Sequence, residues 1–331
     1  MDIETLFNLA SEELKGENAL IQIQVGNKMY IRRIGDANRL TDSPEIETVK
    51  ERHLFVPYME SKINEAPVCE RTKQNHRSTL KLISELNSNL DISECTIQFV
   101  ESFYYLLRSK GYKVNTIAKH MKILKKYINI AIDNDLLNKN PFRKFKIHQE
   151  ETHKNALTER EIKKVESNLE LLNETEKNVA EGFLFSIYSG LRYSDVIRVT
   201  KQNIKNINRN KWLVMRMRKT DREVRVPLNK IFGGKGLELV NKNTSGKLFH
   251  LPNNSQTNVV LNRIMKKLHI RKHISFHCAR HTSATIMLYK GVNLTTIQKI
   301  LGHQSIKTTQ VYSAVTDSTI YKDIKRSFRA A

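Results

Sequence analysis

Leu301-Gly302-His303-Gln304-Ser305-Ile306-Lys307-Thr308-Thr309-Gln310-Val311-Tyr312 is the stretch of this 331-residue chain from which the rest can be read. Gly302 closes an apolar helical run, Leu294 to Leu301, and Ser305 is placed to cap a second helix carrying Tyr312. Upstream stand His277-Cys278-Ala279-Arg280-His281, Ser189-Gly190-Leu191-Arg192-Tyr193 and Arg218-Lys219-Thr220. Together they supply a phenol, two guanidiniums, an ammonium and several imidazoles. That set suits holding a phosphodiester and attacking it.

Outward from that stretch, residues 156–331 read as one α+β domain. Leu157-Thr158-Glu159-Arg160-Glu161 opens it with Thr158 as N-cap and Glu161 three residues on, a capping box. Helices are expected to about Tyr188. Gly190 then ends the run and leaves Arg192 on a turn before a helix starting near Ser194-Asp195. Trp212 to Met217 and Glu223 to Leu228 alternate as two strands, with Lys219-Thr220-Asp221 at their turn. The remainder to Phe328 is helical. The fold class is mainly α, with a small antiparallel β-sheet or hairpin.

Residues 67–147 read as a separate helical domain. Thr72 to Leu86, Thr96 to Ser109 and Asn115 to Leu137 each carry apolar residues at three- and four-residue steps. In the last of these Ile117, Met121, Leu124, Ile128 and Ile132 form the stripe, and Lys119, Lys122, Lys125 and Lys126 occupy other faces. Asn140-Pro141 ends the run. Residues 148–155 have no apolar period and read as a linker. Residues 1–66 form an N-terminal extension, with a short helix from Asp2 to Leu14 and a hairpin in which Gly26-Asn27 joins Ile21–Val25 to Met29–Ile31.

The formal net charge is +22, with a pI near 9.8. Residues 1–66 hold 8 Lys+Arg against 12 Asp+Glu, so residues 67–331 carry +26. A surface of that sign predicts a nucleic-acid partner for the two later segments, and a packing or partner-contacting role for the first. No apolar run approaches the ~20 residues of a membrane span. The acidic opening Met1-Asp2-Ile3-Glu4 is unlike a secretion signal, so the expected location is the cytoplasm, on the nucleoid when DNA is bound. Cys69, Cys95 and Cys278 show no pairing pattern and read as reduced thiols. Only Cys278 stands near His277 and His281, too few thiols for a zinc set, so no metal and no cofactor are expected.

In-line attack on phosphorus needs a nucleophile, charge to hold the pentavalent phosphorane, and an acid for the leaving oxygen. Tyr312 is the candidate nucleophile. Arg192 and Arg280 can pair bidentately with non-bridging phosphate oxygens. His277 shares a helix face with Arg280 and could help move the phenol's proton; His303 could hydrogen-bond a phosphate oxygen. Lys219, at a hairpin tip, is a candidate acid, with Arg218 and Arg222 beside it in similar reach.

These residues resemble the tyrosine recombinase (phage integrase) family over roughly residues 71–325. In that family an arginine follows a Ser/Thr-Gly-Leu turn, as Arg192 does. A hairpin lysine precedes a Val-Pro-Leu strand, as Lys219 precedes Val226-Pro227-Leu228. A His-x-x-Arg-His box matches His277 to His281, and a Leu-Gly-His stretch stands about nine residues before the nucleophile, as here before Tyr312. The resemblance implies a helical core-binding domain and a catalytic domain that clamp double-stranded DNA. It also implies a homo-tetramer that synapses two recombination sites and exchanges strands through 3′-phosphotyrosyl links and a Holliday junction, without ATP or metal. A C-terminal helix, Ser318 to Phe328, would pack into a neighbouring protomer, and accessory DNA-bending or directionality factors could assist. Integration and excision of a mobile element is the expected role. A DNA invertase or a dimer resolvase of the same family, a topoisomerase IB-like enzyme, and a non-catalytic DNA-binding protein on the same fold are the alternatives.

Overall fold

The computed structural model describes residues 52–151, 155–242 and 246–312, with the backbone of three strands between residues 19 and 48. The helices expected at Asp2 to Leu14 and Ser318 to Phe328 lie outside the described residues, as do linker residues 152–154. The chain divides into two compact units, residues 1–151 and 152–331.

In the first unit β1 (Ala19–Val25) and β2 (Lys28–Ile34) pair antiparallel from Ala19↔Ile34 to Val25↔Lys28. Two residues, Gly26-Asn27, are left to connect them, the length and type that a tight hairpin favours. A short β3 (Glu47–Thr48) joins the edge of β2. Four helices follow: α1 (Phe55–Glu65), α2 (Glu70–Leu86), α3 (Ile97–Ser109) and α4 (Val114–Asp133). Helix α1 lies inside the segment expected to stand apart as an extension. Its Phe55, Met59 and Ile63 are nevertheless fully buried, in one core with Ile83, Phe103, Leu107, Leu124 and Ile128. Spaced four apart, the three side chains form one stripe, and burying it makes α1 part of the bundle.

Helix α4 stops at Asp133 instead of running to Leu137. Leu136 N donates to Ala131 O (2.9 Å) and Asp135 N to Ile132 O (3.0 Å), with Asp135 at φ 58. This is a Schellman closure in which a short polar side chain takes the left-handed position usually given to glycine. The first residues of the expected linker are tied back to α4. Asn115 donates its amide to Glu150 O (2.9 Å) and accepts from Glu150 N (3.1 Å), and Lys122 Nζ donates to Gln149 Oε1 (2.6 Å).

The second unit is built around α6 (Glu174–Ser189), following α5 (Glu159–Ser167). Thr158 and Glu161 form the predicted capping box of α5, and Asn173 with Glu176 caps α6 in the same way. Val179, Ala180, Phe183, Phe185 and Ile187 of α6 are all fully buried, as expected of a helix covered on every side. A short α7 (Tyr193–Val196) leads to a three-stranded antiparallel sheet of β4 (Ile204–Ile207), β5 (Asn210–Arg216) and β6 (Glu223–Pro227), in that spatial order. Lys219 sits on the β5–β6 turn, while β4 is a strand beyond the two predicted. Helices α8 (Lys235–Lys242), α9 (Asn254–Lys267), α10 (Phe276–Tyr289), α11 (Leu294–Leu301) and α12 (Lys307–Gln310) complete the described part. The architecture is thus mainly helical with a small antiparallel sheet in this unit, and no helix among the described residues is long and apolar enough to cross a membrane.

Candidate active site

Two helix ends meet at one buried guanidinium. Gly190 at φ 72 ends α6, and Gly302 at φ 60 ends α11; both hold the left-handed conformation that a side chain disfavours. Arg280 of α10, 1 % exposed, donates through Nη1 to Gly190 O (2.9 Å) and through Nη2 to Leu301 O. Carbonyls at helix C-termini are unsatisfied within the helix and carry the negative end of its dipole. They are therefore suited to holding a cation away from water. Burial, with the Arg192 charge beside it, still pushes the Arg280 guanidinium down to about 9. It remains charged at neutral pH.

Arg192 occupies the turn before α7 and is half-buried, with Nη1 3.5 Å from Met217 Sδ. Burial lowers its pKa; the charge of Asp195 and the phenol of Tyr312 oppose that shift. Asp195 is fully buried, and its Oδ1 accepts from Arg218 N (2.8 Å), tying the turn before β6 to α7. The other oxygen, Oδ2, has no hydrogen-bond partner among the described residues. Asp195 was not among the sequence candidates. Its signal, an acid three residues after Arg192, is too common to read unaided.

Tyr312 follows α12 instead of lying on it: its N donates to Thr309 O (3.0 Å), an i→i+3 turn closing a four-residue helix. The N-cap position falls on Ile306 and not on Ser305, which stands one residue earlier with its Oγ accepting from Lys307 N (3.2 Å). The phenol ring stands 5.1 Å from the His281 ring and is stacked 6.4 Å from the His303 ring, centroid to centroid. Burial raises the phenol's pKa while Arg280 and Arg192 pull it down. At rest the hydroxyl keeps its proton, in a field that favours the phenolate once the proton has somewhere to go.

His303, 5 % exposed, is pushed down to about 3 by burial, with Arg280, Arg192, His281 and His277 acting in the same sense. It is neutral at physiological pH. Its Nδ1 is 2.9 Å from Thr309 Oγ1, and its backbone oxygen accepts from Arg222 Nη1 (3.1 Å) and Gln298 Nε2 (3.2 Å).

Four of the six sequence candidates, Arg192, Arg280, His303 and Tyr312, therefore form one half-enclosed group. His277 is exposed and reaches it through His281, whose ring is 5.0 Å from that of His277. His281, the histidine next to Tyr312, stood in the same sequence box but was not singled out. Lys219 is exposed on the hairpin turn. Cys278 is buried and accepts from Ser275 N (3.4 Å) at the start of α10, a packing and capping position. Among the described residues no three or more His, Cys, Asp or Glu side chains gather as a metal site would require.

Residues 155–319 match the phage integrase family, and residues 54–147 match the phage integrase SAM-like domain. Among curated proteins, a tyrosine recombinase of Thermosipho africanus is 27% identical over 221 residues, 64% of this chain and 75% of that one. Tyrosine recombinase XerD of Oceanobacillus iheyensis is 25% identical over 250 residues, covering 69% and 80%. Among solved structures, the Tn1549 transposon integrase in complex with circular intermediate DNA has a TM-score of 0.66 at 19% identity, covering 82% of this chain and 99% of that one. A lambda integrase tetramer bound to a Holliday junction has a TM-score of 0.63 at 16% identity, covering 80% and 78%. At those identities the structural likeness speaks for the fold; the matched domains speak for descent. The chain belongs to the tyrosine recombinase (phage integrase) family, enzymes of site-specific DNA recombination.

Proposed function

We propose that this enzyme cuts and rejoins double-stranded DNA through a 3′-phosphotyrosyl intermediate on Tyr312. The phenol oxygen attacks phosphorus, a new O–P bond forms, and the P–O5′ bond breaks. Arg192 and Arg280 hold the non-bridging oxygens, where a planar, permanently charged fork fits the phosphorane. His303 adds a neutral donor. The phenol's proton passes toward the imidazole pair His281–His277, and Lys219 on its exposed turn protonates the leaving 5′ oxygen. One bond is exchanged for another of similar energy, so the step runs in both directions and needs no separate energy source.

The observation that carries this reading is that the Tyr312 ring stands beside two imidazoles and within the field of two arginines. A protein that only bound DNA would gain nothing from a half-buried phenol beside paired guanidiniums. Likeness to a transposon integrase and to a phage integrase tetramer on a Holliday junction supports integration and excision of a mobile element by four protomers on two sites. A helical core-binding domain before the linker and a catalytic domain after it would then clamp the duplex.

The test is a nicked suicide substrate carrying the recombination site. Wild-type protein should form a covalent adduct resistant to denaturation, whereas Tyr312→Phe should bind the same site with similar affinity and form none. An adduct with Tyr312→Phe would remove Tyr312 from the role. For the biological event, a circular form of the flanking element should appear when the protein is expressed and be absent with Tyr312→Phe.

A further inference from the structure

Thr309 touches both halves of the proposed site. It lies on α12, is fully buried, and places Oγ1 2.9 Å from His303 Nδ1. Its backbone oxygen accepts from Tyr312 N at 3.0 Å. One residue thus joins the imidazole that follows α11 to the turn that presents the nucleophile.

The hydroxyl has one proton to donate and lone pairs to accept with. Two arrangements satisfy the 2.9 Å contact. If His303 carried its proton on Nδ1, that N–H would donate to Thr309 Oγ1. The hydroxyl's own proton would then need another acceptor inside a closed site, and Thr309 Oγ1 has no other hydrogen-bond partner among the described residues. If the hydroxyl donates to Nδ1 instead, both atoms of the contact are satisfied, and the Nε2–H is left for a ligand. The imidazole proton then stands on Nε2, and buried polar groups strongly prefer the satisfied arrangement. Burial and the surrounding cations keep the ring neutral, so one tautomer or the other must be chosen.

We infer that Thr309 is a positioning residue whose hydroxyl donates to His303 Nδ1 and thereby fixes His303 as the Nε2–H tautomer. In that form His303 offers the phosphate a hydrogen-bond donor. The opposite tautomer would present a lone pair there, repelling the non-bridging oxygen and competing for the phenol's proton. Thr309 therefore assigns His303 to phosphate stabilisation and leaves proton removal to the His281–His277 side. This rests on the reading of Tyr312 as nucleophile and of His303 as a phosphate contact.

The experiment compares Thr309→Val, equal in shape but without the hydroxyl, with Thr309→Ser, which keeps it. Single-turnover cleavage of the nicked site at saturating enzyme should fall at least about tenfold in Thr309→Val, the scale on which groups behind a working side chain act. It should stay within about threefold in Thr309→Ser, with DNA affinity unchanged in both. Nitrogen-15 imidazole shifts of His303 in the wild-type protein should report Nε2–H, and the same spectrum of Thr309→Val should show the two tautomers mixed. A wild-type spectrum with the proton on Nδ1 overturns the inference whether or not the variants fold. So does equal slowing in Thr309→Val and Thr309→Ser, which would mean packing alone, or wild-type cleavage by Thr309→Val. In each case an inactive Tyr312→Phe leaves the proposed reaction standing; an adduct formed by Tyr312→Phe removes the reaction itself.

Discussion

Arg280 and Arg192 are both guanidiniums beside one phenol, yet the scaffold uses them differently. Arg280 spends two N–H groups on the end carbonyls of α6 and α11, so it braces the fold while facing the site. Among the described residues the half-buried Arg192 guanidinium has one side-chain hydrogen-bond partner, Met217 Sδ, with the Asp195 charge and the Tyr312 phenol acting on it as well. Lysine keeps the charge but is a point donor that cannot serve two carbonyls and a phosphate together. Both Arg280→Lys and Arg192→Lys should lower single-turnover cleavage by about 100-fold or more, the loss typical of one preorganised donor. Only Arg280→Lys should also lose stability, by about 1–3 kcal/mol, because a buried carbonyl is left unpaired. Chemical denaturation of the two variants side by side checks this. Equal stability losses would show that the carbonyl contacts do not brace the fold.

At the scale of elements, the end of α11 packs closely on the β5–β6 hairpin. A Cβ added at Gly302 would lie 2.5 Å from Met217 Sδ and 2.8 Å from Val224 Cγ1, at a φ of +60. Met217 can swing aside; Val224 is branched at Cβ and cannot. Gly302→Ala should therefore cost about 2–4 kcal/mol in urea unfolding, combining backbone strain with overpacking. Cleavage should fall with it, because Met217 is also the neighbour of Arg192. A loss below 1 kcal/mol would mean that the hairpin yields freely. Such junctions are only half legible in sequence. The capping box of Thr158 and Glu161 and the break at Gly190 could be read because their signals are local: a side chain bonding its own helix, and a glycine where the backbone must turn left-handed. Helix α1 escaped because its start has no capping side chain and Pro57 stands in its first turn, so only packing against the other helices reveals its stripe. Strand β4 is four residues long and shows no alternation, its middle pair being exposed and its ends half-buried. The candidate site residues stand out in the sequence as a pattern of boxes. Asp195 and His281 do not, since their contacts, with Arg218 and Tyr312, are with residues that only the fold brings near; Thr309 does not, because its link to His303 depends on the irregular turn between α11 and α12.

For the whole molecule the question is how +26 on residues 67–331 becomes affinity for DNA. In α4 the apolar stripe Ile117, Met121, Leu124 and Ile128 faces the core, while Lys119, Lys122 and Lys126 are exposed on the opposite side. They stand at i, i+3 and i+7 and so line one face. Each is also steadied: Lys119 Nζ donates to Asn75 Oδ1 (2.6 Å), Lys122 Nζ to Gln149 Oε1 (2.6 Å), and Lys126 Nζ sits 5.3 Å over the Tyr127 ring. A lysine already restrained loses less side-chain freedom when it meets a phosphate. Phosphate contacts release counterions, and each one adds about 0.9 to the slope of log affinity against log salt. Replacing the three lysines with alanine should reduce that slope by about three and weaken specific and non-specific duplexes alike, because backbone contacts carry no sequence information. Cleavage at saturating enzyme and low salt should be nearly unchanged, since the proposed chemistry is assigned to residues of the second unit and the three lysines belong to the first. Titrations of the wild-type and triple-variant proteins from 50 to 200 mM salt decide the matter. An unaltered slope would mean that this face of α4 does not meet the phosphates, and that the basic surface of the second unit carries the attraction.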